Sequence, residues 1–403
     1  MKKALFYNLI AVCCVVLVMV PWAALAGDAI VLGMSTALSG PTAELGLRMR
    51  DGVLLGLERA NLEGGVQGRR LALRAYDDGY EPYRVAPNIQ RLIDEDHALA
   101  IIGNVGTPTA VAALPIIKNR GVPFVAPFTG AGLLRKTPPE RYVINFRASY
   151  VQEVTAMIDG LINQGGVDPQ QIAFFTQRDS YGDAGYVGGV SALQRHGLHD
   201  VRNILHVRYE RNTLAVENAL ADLVYSSRDI QAVIMVGAYA PCAKFIRLAK
   251  EVGLNALFLN VSFVGSELLL NELGNDNDGV IVTQVVPPLI NDGPPIVRDY
   301  LTDFKKFNQT GIPNYVGFEG YVASRLLFRA LTKIEGPLTH DAVIDALEAM
   351  GTFDLGLGVP LHLSAQQHQA CQQVWGTRFV DGRTVPFQWS QLKDWLDTKG
   401  GQR

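Results

Sequence analysis

AIIGNVGTPTA, residues 100–110, sets the architecture of this chain. An apolar run of strand length enters a turn bounded by Gly103 and Gly106, and Thr107 and Thr109 then sit where a helix begins. A helix start leaves backbone N–H groups unpaired and carries partial positive charge, so this junction suits a carboxylate or another anion. On either side, short apolar runs alternate with amphipathic stretches. Residues 29–34, 71–76, 99–102 and 123–126 read as strands, and 43–61, 82–96 and 108–119 as helices. That alternation implies a parallel sheet with helices on both faces. A second series starts after residues 142–146. Helix 150–163 precedes strands 172–176, 204–209, 232–236, 256–260 and 280–284, with helices between them. Helices at 297–308, 315–334 and 340–350 come next, then strands at 359–363 and 372–380 and a terminal helix at 389–398. The two series read as duplicated architecture without sequence repetition. Segments 146–149 and 285–288 lie where the series change and read as hinges between lobes, although Pro287-Pro288 equally fits the end of an edge strand.

Lys2 and Lys3, the apolar run 4–20 and the Ala24-Leu25-Ala26 site form a secretory signal peptide cut after Ala26. An uncleaved anchor is the competing reading of the same run. Cys13 and Cys14 do not make a lipoprotein signal, because Val12 and Cys13 poorly suit the positions before a lipidated cysteine. Removing 26 of 403 residues leaves 377, enough for two domains of ordinary size. The loss of Lys2 and Lys3 takes the formal charge from -3 to -5, which argues against nucleic acid or an anionic membrane as partner. Cys242 and Cys371 remain, as two buried thiols or as a single disulfide.

The sequence holds no G-x-x-x-x-G-K-[ST] loop, H-E-x-x-H or G-x-S-x-G motif. His196 and His199 fall at a helix end, where a cation suits the dipole better than it suits a metal site. Asp77 and Asp78 follow a strand, point to opposite faces and read as turn and cap residues. Binding residues are better supported. In open α/β sheets ligands gather beyond the strand C-termini, and there this chain places Thr107, Thr109 and, in Pro127-Phe128-Thr129-Gly130, Thr129. For Thr109 alone, a helix cap is the plain alternative. The second series ends its strands at Tyr181, at Tyr239 and at Asn260-Val261-Ser262-Phe263. Tyrosines there offer an apolar face and a hydroxyl to a semi-polar organic ligand. Phe318 and Glu319 open a long helix and add a further wall. In Tyr209-x-Arg211-Asn212-Thr213, Asn212 or Thr213 is expected to cap the next helix and Arg211 to form an ion pair.

Ser39-Gly40-Pro41, Gly46, Asn61, Gly64-Gly65, Gly68, Asp77-Asp78, the 103–109 and 123–130 segments, Tyr181-Gly182, Gly237-Ala238-Tyr239 and Gly253 carry a resemblance. In order, and over nearly the whole mature chain, they resemble the type I periplasmic binding proteins of the leucine/isoleucine/valine-binding class. GNVGTPTA, PFTGAGLLR, YxRNT, SFVGS and FEGY narrow the likeness to a subgroup of branched-chain amino-acid type. The resemblance implies two doubly wound parallel-sheet lobes joined by a three-strand hinge and closing on ligand like a Venus flytrap. Lobe I would take 27–147 and 286–355, and lobe II 148–285 and 356–403. Thr107, Pro108, Thr109 and Thr129 match the segments that hold a ligand carboxylate. Tyr181, Tyr239 and Phe318 match cleft positions, and Leu45 falls where an aromatic often sits. Family members use an acid from the second lobe for the ligand ammonium; here Ser262 stands at that position, with Glu319 as a possible substitute. Pro108 replaces a hydroxyl residue and removes one N–H donor. The cysteine pair of some relatives appears here as Tyr80 and Gly106.

The implied protein is a periplasmic, monomeric substrate-binding subunit of an ABC importer. It binds a small organic solute, amino-acid-like, a carboxylate or amide with an aromatic body among the candidates, and delivers it to an inner-membrane permease. Because Ser262 is uncharged, that solute needs no free ammonium. The resemblance implies no catalysis, cofactor, metal or nucleic acid. A ligand-sensing receptor and an exported hydrolase are the alternatives.

Overall fold

The computed structural model describes residues 29–307, 311–393 and 396. The leader read at 1–26 lies outside them, as does much of the expected helix 389–398, of which Trp389–Gln391 forms a single short turn.

In chain order the first series is β1 (Ile30–Thr36), α1 (Ala43–Leu62), β2 (Leu71–Asp77), α2 (Pro82–Asp94), β3 (Ala100–Ile102), α3 (Thr107–Arg120), β4 (Phe124–Val125) and β5 (Val143–Ile144). Its strands form one parallel sheet ordered β2-β1-β3-β4-β5. Successive side chains leave opposite faces of a strand, and the three buried residues of β3 divide accordingly. Ile101 joins Phe124 and Val143 against Val85 and Ile89 of α2 and Ala113 and Ile117 of α3. Ala100 and Ile102 join Val125 and Ile144 in the main core on the other face.

The second series is α4 (Tyr150–Asp159), β6 (Ile172–Gln177), α5 (Ser180–Arg195), β7 (Leu205–Tyr209), α6 (Glu217–Tyr225), β8 (Ala232–Val236), α7 (Tyr239–Glu251), β9 (Leu257–Asn260), α8 (Ser266–Leu273) and β10 (Val280–Gln284). Its parallel strands run β7-β6-β8-β9-β10, the same order as the first sheet. Every residue of β6, β8, β9 and β10 is buried, as befits parallel strands covered on both faces. The remaining elements are α9 (Pro295–Lys306), α10 (Tyr315–Leu331), α11 (His340–Glu348), β11 (Gly351–Phe353), β12 (Leu361–Leu363), β13 (Trp375–Val380) and β14 (Arg383–Phe387). Helix α10 crosses α1 so closely that a β-carbon on Gly52 would come 1.9 Å from the Gly317 carbonyl oxygen. Strands β13 and β14 extend the second sheet antiparallel. β14 was not among the expected strands, although Asp381-Gly382, both at positive φ, is a two-residue hairpin signal.

The chain passes between the sheets at 145–149, 285–288 and 371–375. Residues 368–371 run beside the first passage: Asn145 N–H donates to the His368 carbonyl (2.7 Å) and Cys371 N–H to that of Phe146 (2.8 Å). The expected boundary at 355/356 thus precedes a segment, 361–371, that pairs with β11 and with the end of β5, and the chain enters the second sheet only at Trp375. Cys242 and Cys371 are both buried and free. Among the described residues no helix is long and apolar enough to cross a membrane.

Candidate ligand-binding cleft

The loops after β3 and β4 face those after β6, β8 and β9, so both sheets present their C-terminal strand ends to one cleft. In the first sheet the order 2-1-3 makes β1/β3 the switch point, where the loop after β3 can open a crevice. Gly106 ends that loop at φ 103° and precedes α3; its missing side chain is essential, since a β-carbon would lie 2.1 Å from Cε2 of Tyr80. Tyr80 and Gly106 are thus packed directly against each other. Thr107 Oγ1 and Thr129 Oγ1 lie 2.6 Å apart, both fully buried. Pro108 occupies the first turn of α3 without an N–H. Thr109 is not free for a ligand: its hydroxyl donates back to the Val105 and Gly106 carbonyls (2.5 and 2.9 Å) and receives Asn104 Nδ2 (3.2 Å). It supports the turn from within and is not the cap, which is Gly106.

A group of rings fills the space between the sheets. Phe263, from the short turn Ser262–Val264, stands 5.1 Å from Phe128, 6.2 Å from Tyr80 and 4.6 Å from Tyr181, centroid to centroid. Tyr150 lies 5.2 Å from Tyr181. Burial pushes the Tyr80 and Tyr181 phenols well above their ordinary range, so they act as neutral hydrogen-bonding groups. Leu45 lies just beyond, against Gly265, where a β-carbon would be 3.0 Å from Leu45 Cδ2. Phe318 is not brought into this group. Its ring packs on Tyr300 of α9 at 5.0 Å, under α10.

Beneath the rings lies a charged cluster. Arg147, fully buried in the first crossover, places its guanidinium 4.8 Å from the Phe128 centroid and donates from Nη2 to Ser262 Oγ and to Glu153 Oε1, the latter at 3.4 Å. Its Nε lies 3.6 Å from Glu319 Oε1, beyond hydrogen-bond reach, and neither Nε nor Nη1 has a hydrogen-bond partner. Ser262 was expected to leave the second lobe without an acid. The acid is present as Glu153, one helix away, but four donors already engage it: Ser262 N (2.7 Å), Ser262 Oγ (3.0 Å), Thr283 Oγ1 (2.6 Å) and Arg147. Burial lifts Glu319 to about 7 against the opposing pull of Arg147. Burial, and then Arg147, lower Arg135 to about 9; its guanidinium holds the Thr129 and Arg147 carbonyls at 3.2 and 3.0 Å. Arg147, Glu153 and Phe263 were absent from the expected site. Only Phe263 carried a signal, as the aromatic after β9.

At the cleft mouth the two sides are tied together. Arg211 Nη2 pairs with Glu81 Oε2 (2.8 Å), and Asn212 Nδ2 donates to Glu81 Oε1 (2.7 Å) and to the Gly79 carbonyl (3.2 Å). Tyr239 OH donates to the Pro41 carbonyl (2.8 Å), so Tyr239 closes the rim. The expected ion pair of Arg211 is present. The expected cap is not: α6 follows Val216, without a side-chain cap, and Asn212 reaches across the cleft from φ 58°. Asp77 and Asp78 are turn residues as read. Asp77 collects the N–H groups of Leu38, Ser39 and Gly79, and Asp78 those of Tyr80 and the Ser35 hydroxyl. His196 caps α5 and meets Asp159 at 2.7 Å.

A sequence profile for the family described as periplasmic binding protein matches residues 29–384. The leucine-, isoleucine-, valine-, threonine- and alanine-binding protein of Pseudomonas aeruginosa is 23% identical over 335 residues, 83% of this chain and 86% of its own length. The solved structure of a possible leucine/isoleucine/valine-binding protein from Rhodopirellula baltica is 45% identical with a TM-score of 0.88, covering 91% of this chain and 98% of that one. A branched-chain amino acid ABC transporter protein from Thermus thermophilus with bound valine shares the fold at 19% identity and a TM-score of 0.76, over 90% of this chain and 96% of that one.

Proposed function

The chain belongs to the periplasmic binding protein family, of the leucine/isoleucine/valine-binding type with the type I fold, and on that basis we propose that it is the substrate-binding subunit of an ABC importer. It is exported, cut near Ala26, and works as a monomer that delivers a small organic solute to an inner-membrane permease. Among the described residues the lobes are 29–147 with 286–371 and 148–285 with 372–393, joined by the three crossovers. Solute docks on the first lobe at Thr107, Thr129 and the first turn of α3. Closure then brings Tyr181, Phe263 and Ser262 over it and seals the rim through Tyr239 and Arg211. The permease reads the closed shape.

One observation carries this reading: Phe263 from one sheet inserts among Phe128 and Tyr80 from the other, so rings and threonine hydroxyls converge where strand ends meet. Such a site suits a carboxylate or amide with an apolar, aromatic-compatible body. Glu153, the acid hydrogen-bonded to Ser262, is already engaged by four donors, and a ligand ammonium left without counter-charge would cost several kcal/mol. The solute therefore needs no free ammonium. Calorimetry with leucine and valine beside their deaminated analogues tests this. Binding that survives loss of the amino group is expected; tight binding that depends on it refutes the reading.

A further inference from the structure

Buried arginines normally have their N–H groups satisfied, because an unpaired buried donor costs about 1–3 kcal/mol and more when charged. Arg147 departs from that rule. It is fully buried in the first crossover between the two sheets, yet Nε and Nη1 have no hydrogen-bond partner. A purely structural ion pair would spend those donors on Glu319, which instead stops 3.6 Å away. Nη2 is committed to Ser262 and Glu153, so one edge of the guanidinium is anchored and the rest is left over. That remainder lies across Phe128 and beside Tyr150, two rings of the ligand cleft, one residue along from the Thr107–Thr129 pair.

The charge count points the same way. Arg135 and Arg147 bring two cationic groups to the cluster, and Glu153 with its four donors brings one anionic group. Glu319 is the swing member. With Glu319 neutral the cluster has one unmatched positive charge, and with it ionised there is none.

We propose that Arg147 seats the carboxylate of the transported solute through Nε and Nη1, with Glu319 as the counter-ion that gives way, so that the site selects small organic monoanions without an α-ammonium. This rests on the solute-binding reading above and names the residue that makes its choice. The groups facing Glu319 are Arg147 from the first crossover, Arg135 from the turn after β4, Glu153 from α4 and Cys371 from the third crossover. Burial already lifts its carboxyl to about 7, and an arriving carboxylate shared on Arg147 raises it further. Anion binding therefore takes up a proton near neutral pH, whereas an ammonium ligand held by Glu319 would release one.

The test uses the mature protein and a matched panel: aliphatic and aromatic monocarboxylates of two to ten carbons, the corresponding amides, and the corresponding α-amino acids. Thermal shift identifies binders, and calorimetry in buffers of different ionisation heat counts protons. We expect stabilisation by at least one carboxylate and not by its α-amino acid, proton uptake at pH 7, and affinity rising about tenfold from pH 8 to pH 6, as one group of pKa near 7 requires. Arg147→Lys keeps the charge but loses the fork and should weaken that binding at least about tenfold. Glu319→Gln removes the group that titrates, so it should abolish the proton uptake and flatten the pH profile. A melting temperature of Arg147→Lys within a few degrees of the parent's shows that what it loses is binding and not the fold. Amino acids or amides that bind equally well to parent and Arg147→Lys would overturn the proposal while leaving solute binding intact. Silence across all three classes would count against both.

Discussion

In the proposed clamp the ties across the cleft mouth form on closure, so removing them should subtract from closure alone. Glu81 is the hub: Arg211 pairs with it at 2.8 Å and Asn212 donates to it at 2.7 Å. The Arg211 and Glu81 side chains are 25% and 27% exposed, so solvent weakens the ion pair to about 0.5–1 kcal/mol. The hydrogen bond from Asn212 adds about 1 kcal/mol. Together they amount to about 1.5–2 kcal/mol, or about 10- to 30-fold in the closed-to-open ratio. Although Glu81 precedes α2, it makes no side-chain cap bond, so Glu81→Ala should barely touch the stability of the folded chain. Electron-resonance distances between spin labels at Leu62→Cys and Val187→Cys, both well exposed on opposite sides of the cleft, count the two populations. The native cysteines are buried and should escape labelling. In Glu81→Ala the closed-to-open ratio should fall by that factor and ligand release should speed up correspondingly, with the on-rate unchanged. A ratio that stays within twofold of the parent would refute the latch.

Thr107→Val and Thr129→Val each remove one member of the 2.6 Å hydroxyl pair; ligand affinity should fall about 10- to 100-fold by calorimetry while the melting temperature changes by only a few degrees. Asp78 is raised to about 6 from an ordinary 3.8, chiefly by burial. A raised carboxyl favours the fold while protonated, so that contribution is complete below pH 3.8 and fades as pH climbs through 6. Relative to the parent, Asp78→Asn should therefore gain up to about 3 kcal/mol between pH 4 and pH 8 in urea unfolding. An unchanged difference at the two pH values would contradict it. Burial pushes the Cys371 thiol up to about 11 and Cys242 higher still. A thiol reagent should meet no fast-reacting group in the native mature protein and two after unfolding.

Much of the architecture was legible because parallel strands leave a strong local signature. β3 is three buried residues bounded by a glycine turn, β8 is an unbroken apolar run and β10 opens with one, so periodicity and length sufficed. β11 escaped because three residues offer no periodicity, and β14 because its pattern is half exposed and contains Pro386. The placement of residues that follow a strand end, such as Thr107, Thr129 and Tyr181, was legible by the same logic. Those that depend on distant partners were not. Arg147 has meaning only beside Ser262, 115 positions away, and Glu153 only through Ser262 and Thr283. Asn212 read as a cap because its own neighbourhood is a turn, while its partners, Gly79 and Glu81, lie across the cleft.

The proposed cleft holds a small acid or amide in which no ammonium is needed. Mass spectrometry of whatever is released on denaturing the protein, freshly purified without added ligand, tests this directly. Close to one equivalent of a small organic carboxylate or amide lacking an α-amino group is expected. One equivalent of leucine, isoleucine or valine would contradict it.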